Sequence, residues 1–246
     1  MQNQSKPFAP YHPWDRAFFL TNAIVAWVAI LAGFGPELYQ HGRGVSPFPP
    51  LLVLVHGGVF FGWLALFLLQ VWLILSRRAD IHRKLGMAAT VMVPLMVFLG
   101  LDANVVAQRL HFAQGQSQLN FMIIPIVDMV IFAGLAGSGL LLRKKPAVHK
   151  RLLLLATINL LDAGFGRWWG AWFLAHVGDG FFGFIAQIFL GSDLMILAAL
   201  AYDRVTRGKV HPVYRISLPL ILVLQMLASA FYHSPAWLPI ARWLIS

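Results

Sequence analysis

Apolar positions along this chain come in long runs separated by short basic junctions. Runs of the roughly 20 residues that a helix needs to cross a hydrocarbon core occupy roughly 17–36, 51–76, 86–108, 119–142, 151–170, 181–203 and 215–234. Between them the segment Arg77-Arg78-Ala79-Asp80-Ile81-His82-Arg83-Lys84-Leu85 recurs, 67 positions on, as Lys144-Lys145-Pro146-Ala147-Val148-His149-Lys150-Arg151-Leu152. A looser third version is Arg207-Gly208-Lys209-Val210-His211-Pro212. Each basic knot holds a histidine and leads into an apolar run.

The pattern predicts an all-α integral membrane bundle of seven transmembrane helices in a single domain, 1–246. Thirteen of the nineteen Lys and Arg residues lie in 77–84, 143–151 and 204–215, and Lys6 and Arg16 precede the first run. The positive-inside rule places these segments in the cytoplasm, so the N-terminus is expected inside and the C-terminus outside, in the cell inner membrane. The stretches 77–142 and 144–203 each read as knot, outward span, outer loop and inward span, a duplicated helix pair. The outer loop 37–50 is rich in helix-breaking Gly and Pro. Trp168, Trp169 and Trp172 mark a boundary at the headgroup level, and 235–246 reads as an interfacial tail.

Composition agrees with this plan. Hydrophobic residues make up 59% and charged residues 11% of the 246 positions, and mean hydropathy is +0.72; soluble globules carry about a quarter charged residues. The formal net charge of +10 calls for no nucleic acid, because the cytoplasmic loops account for it. Lipid is the expected partner, with anionic lipid at the basic loops and other membrane proteins as further candidates. The absence of cysteine removes disulfides, thiolate ligands and Cys nucleophiles.

Candidate chemistry sits where polar groups interrupt the spans, since a charge in hydrocarbon costs about 2.5–3.5 kcal/mol on insertion scales. At about 1.5 Å per residue, Asp162 and Asp193 fall roughly 15 Å from the basic junctions, Asp128 about 22 Å and Asp102 about 27 Å. Asn159 and Asp162, three residues apart, share a helix face. Gln187, Asp193 and Gln225 can join them, and Arg167 is the expected counter-charge, which makes a buried polar network one reading of the group. His56, beside Gly57 and Gly58, is the histidine set deepest within a span. It is a candidate ligand for haem b or a divalent metal, with Asp102, Asp128 and Asp162 as partners and His111, His176 and His233 near the same end. The knot histidines His82, His149 and His211 are candidates for holding an anionic cofactor group, or else interfacial anchors.

The order His56, Gln70, Arg77 and His82-Arg83-Lys84-Leu85-Gly86, with His149-Lys150-Arg151-Leu152, Tyr202-Asp203 and His211-Pro212, resembles that of uncharacterised bacterial multi-pass membrane protein families over most of the chain. A fainter similarity is to membrane proteins that assist haem-copper oxidase assembly. The resemblance implies the topology and singles out His56 and His82; it implies no specific activity.

Three functional classes fit these residues. The leading expectation is a redox or cofactor-handling membrane protein with His56 as ligand. The alternatives are a metal-dependent membrane hydrolase using His56 and the aspartates, and a proton-coupled small-molecule transporter whose buried aspartates change protonation. A retinal protein is excluded, because no lysine lies within a span.

Overall fold

The computed structural model describes residues 8–116 and 118–246, which leaves Lys6 outside. Among the described residues there are eleven α-helices, one short 3-10 helix and no strand. The first long helices are α1 (Asp15–Gly42), α2 (Leu51–Leu75), the short α3 (Ala79–Gly86) and α4 (Ala88–Ala113). The 3-10 turn Leu119–Met122 leads into α5 (Ile123–Leu141), followed by α6 (Pro146–Asn159), α7 (Asp162–Val177), α8 (Phe181–Ile188) and α9 (Leu190–Arg207). The chain closes with α10 (Pro212–Tyr232) and α11 (Trp237–Ile245).

Five helical stretches are long and apolar enough to cross a membrane: Asp15–Gly42, Leu51–Leu75, Ala79–Ala113, Leu119–Leu141 and Pro212–Tyr232. A sixth is obtained if α8 and α9, bent by 68° at Phe189, count as one. The fold is therefore that of a multi-pass membrane protein. The expected span 151–170 is instead divided between α6 and α7, of 14 and 16 residues, each shorter than a single crossing requires. In α2 only 11% of the most apolar window is buried, as suits a helix that turns most of its side chains to lipid.

Turn chemistry sets where the helices end. The prolines at 47, 49 and 50 hold extended backbone ahead of α2. At the other end Arg77 takes a positive φ of 59°, and Arg78 N–H reaches back to Leu73 O at 2.8 Å, a Schellman-type stop. Gly208, with φ 71°, ends α9. His211 caps α10, its Nδ1 accepting from Val213 N–H at 3.1 Å, and Pro212 occupies the first helical position, where no N–H is needed.

The core is centred on α5 and α6. Phe132, Leu155, Ala156 and Met96 are fully buried, and Trp63 meets Phe132 edge to face while donating from Nε1 to Thr157 Oγ1 at 3.1 Å. Helices α1 and α7 touch through backbone: a Cβ on Gly33 would lie 2.3 Å from Gly164 O. A second cluster at the far end joins Leu119, Met122, Phe184, Phe189 and Trp237. There Trp237 Nε1 donates to Leu119 O, and Arg109 donates to Ile245 O and Ser246 O at 2.7 Å each. The tail is thus packed on the 3-10 turn and the end of α4.

Candidate functional site: a carboxyl cluster at paired helix breaks

The break between α6 and α7 is the centre of the polar interior. Leu160 and Leu161 N–H turn back onto Thr157 O and Ile158 O, and Gly164 and Phe165 N–H onto Leu161 O; these bonds pass over the carbonyls of Asn159 and Leu160. Asp162 opens α7 and is 1% exposed, with both carboxyl oxygens buried and unpartnered. The break between α8 and α9 lies alongside. Ser192, in the first turn of α9, lies within hydrogen-bond reach of the Asp162 carboxyl, while its hydroxyl proton is directed to Ile158 O at 3.0 Å.

Two further carboxyls lie within electrostatic reach of Asp162: Asp128 on α5 and Asp193 on α9. Asn159 binds the group together by donating from its amide to Asp128 O at 3.0 Å. Gln225 on α10 donates to Asp193 Oδ1 at 3.1 Å. Because each amide nitrogen is committed, each amide oxygen is fixed in place, and Asn159 Oδ1 and Gln225 Oε1 are buried without a partner, as is Asp128 Oδ1. Of the residues singled out in the sequence, the structure links Gln225 to Asp193 and Asn159 to Asp128, with Asp128 and Asp193 in electrostatic reach of Asp162.

Arg167 and Gln187 are placed elsewhere. Arg167 donates to Ala163 O, one turn back, and lies over the Phe34 ring at 4.3 Å; no hydrogen bond or ion pair joins it to any of the three aspartates. Asp162 and Arg167 lie five residues apart on α7 itself, a spacing that puts them on different faces of one helix rather than on the shared face of three- or four-residue neighbours. Gln187 donates to Gly178 O at 3.0 Å and closes the turn before α8.

The histidines are dispersed. His56 lies beside Leu99 and within electrostatic reach of Arg167, its ring 4.1 Å from Phe60 and its Nδ1 buried without a partner. Among the described residues no three of His, Cys, Asp or Glu are placed to hold a metal ion, so His56, Asp102, Asp128 and Asp162 are not assembled as the metal set expected of them. His176 bonds Trp172 O, and His233 faces Ser229 O and Asp179 O with its two nitrogens. Nothing in this arrangement points to haem.

The three knots gather at one end of the bundle. His82 and His149, the matching residues of the repeated knot, stand edge to face at 6.4 Å, with His149 Nδ1 at 2.8 Å from Gly139 O. Gln70, with its amide turned to satisfy both sides, donates to His82 O at 3.2 Å and accepts from Gly86 N–H at 2.9 Å, which joins residues noted together in the sequence. The second and third knots are tied by acids. Arg151, 1% exposed, holds the fully buried Asp203 in a two-point fork, and His211 N–H approaches the same carboxylate at 3.3 Å. Asp15 accepts from Lys150, Arg207 and Tyr202 at 2.6–2.8 Å.

These cations are consumed internally, and Phe8 lies over Arg151 and Arg207, so a site for an anionic cofactor at His149 and His211 gains no support. Burial and the nearby Arg151 push the His211 imidazole down to about 4, which keeps it the neutral acceptor its capping role requires. Sequence reasoning missed Asp15 and the pairing role of Asp203. The available signal was their position, each a lone carboxylate at the edge of an apolar run and next to basic junctions.

Comparison with protein families, curated proteins and solved structures finds no match for this chain.

Proposed function

We propose that the chain is a proton-coupled membrane carrier whose working groups are Asp162, Asp128 and Asp193. The observation that carries this reading is the buried Asp162 carboxyl, which has Ser192 as its one polar hydrogen-bonding neighbour and two other carboxyls within electrostatic reach, with no cation bonded to any of the three. A group of this kind is costly to retain for packing alone, and it can be charged in one state of the protein and neutral in another. Its place at two interrupted helices supports the same conclusion, because discontinuous helices form the substrate and ion sites of many carriers.

Seven crossings belong to the proposal: α6 with α7 makes one, bent α8 with α9 another. The gathering of all three knots at one end supports it, since each is then reached after an inward crossing. That end faces the cytoplasm of the inner membrane by the positive-inside rule. The meeting of His82 and His149 supports a duplicated helix pair.

The test is made in proteoliposomes with a pH dye trapped inside. Gradients of alkali cations, amines and organic acids are applied in turn. A solute-driven change in internal pH is expected with wild-type protein and at least a tenfold slower one with Asp162→Asn. No change with any of these solutes, or an unaltered rate in the variant, rejects the carrier reading.

A further inference from the structure

The unpartnered atoms of the cluster share one chemical property. Asp128 Oδ1, Asp162 Oδ1 and Oδ2, Asn159 Oδ1 and Gln225 Oε1 are all oxygens, and all can only accept from a donor or coordinate a cation while the carboxyls are ionised. The donors that these side chains and Ser192 carry are engaged: the Asn159 amide on Asp128 O, the Gln225 amide on Asp193 and the Ser192 hydroxyl on Ile158 O. Free acceptors in this number suit a cation better than an anion.

We propose that Asp128, Asn159 and Asp162, with Gln225 at the rim, form a binding site for a small monovalent cation, alkali or ammonium, which enters in exchange for a proton. The amide oxygens are the second observation beside the acidic cluster: Asn159 and Gln225 are more than nine-tenths buried, and hydrogen bonds of their own nitrogens hold them against Asp128 and Asp193. A single charge suits two carboxyls and amide oxygens better than a double one, which calls for more carboxylate ligands, and among the described residues no three of His, Cys, Asp or Glu are placed together to supply them. Half-helix C-terminal carbonyls and unwound backbone serve monovalent ions in other carriers. The groups facing Asp162 from the packed helices are Asp128 on α5, Ser192 and Asp193 on α9, and Gln225 on α10 by way of Asp193; no Lys, Arg or His is bonded to any of them. The exchange balances simply. A protonated carboxyl releases H⁺ as its O–H bond breaks, and the carboxylate left behind neutralises the entering cation.

This inference rests on the carrier reading for its direction across the membrane, but its test needs no transport. Purified full-length protein in detergent is unfolded thermally in NaCl, in NH4Cl and in choline chloride at equal ionic strength. Against choline, a saturating rise of about 5 °C in apparent Tm is expected with Na⁺ or with NH4⁺, the magnitude for a ligand well above its Kd. Which salt gives the rise identifies the cation. The rise is expected to vanish in Asp162→Asn and to persist in Asp80→Asn, an exposed control. In weakly buffered solution about one proton should leave per cation bound. Equal Tm in all three salts, a rise that survives Asp162→Asn, or a rise without proton release overturns the proposal. Should Asp162→Asn fail to fold, Asn159→Ala takes its place, with loss or strong weakening of the rise expected and an unchanged rise overturning. Absence of the rise alongside an intact solute-driven pH change would remove this site and leave the carrier standing. The converse would do the reverse.

Discussion

His211 shows how a single side chain can combine capping and charge control. Its Nδ1 accepts the Val213 N–H, its own N–H approaches Asp203, and Phe8 closes over it edge to face at 4.7 Å. An imidazolium would have no lone pair for the cap and would lie beside Arg151, Arg207 and Lys150. The unfolded chain takes up this proton near 6.5 and the folded protein only near 4. Between these values the unfolded state binds more protons, so stability falls as pH drops through that window and the loss is complete below it. His211→Asn keeps a good capping acceptor and is expected to flatten that part of the curve of Tm against pH; an unchanged slope would assign it to another group. Of such details the sequence revealed the residue and hid the role. His211-Pro212 before an apolar run marks a helix start, but the acid it approaches is set by a fold.

The helices were legible as apolar blocks, while their interruptions were not. Neither Gly nor Pro marks Asn159-Leu160-Leu161-Asp162, and the run reads straight through because hydropathy does not register a break in the backbone hydrogen bonds. Polar residues on both sides, together with Ser192 from the neighbouring break, stabilise the interruption. Arg167 was expected to pair with Asp162 or Asp193 as a counter-charge, but on α7 it stands five residues from Asp162, a spacing that does not bring two side chains together on a helix. The close approach of α1 and α7 can be tested at this scale. A Cβ on Gly164 would meet Ala29 O at 2.9 Å and Ile30 Cδ1 at 3.0 Å, whereas one on Gly35 meets nothing within 4 Å. Gly164→Ala should cost about 1–3 kcal/mol, as overpacking does, seen as a lower Tm in detergent. Gly35→Ala should leave Tm unchanged or slightly raised.

At the scale of the molecule, the basic end is held by carboxylates reaching from distant parts of the sequence, and the polar cluster lies where two interrupted helices meet. Charge counting placed the three knots together, and the contacts His82 to His149 and Arg151 to Asp203 join them. With seven crossings, tags inserted in 77–84, 143–150 and 204–214 should be labelled only from the cytoplasmic side, and a reporter after Ser246 only from outside. A reporter found inside would mean that α6 with α7, or α8 with α9, re-enters without crossing. The knots also set the order in which this end can be completed. Asp15 leaves the ribosome early, yet the partners that hold it, Lys150, Tyr202 and Arg207, follow 135, 187 and 192 residues later. At about 5–20 residues per second, the first helix waits roughly 10–40 s for its last ion pair. For that interval α1 is a guest at the edge of an unfinished bundle, placed by its own apolar sequence and completed only when late-made residues close around Asp15.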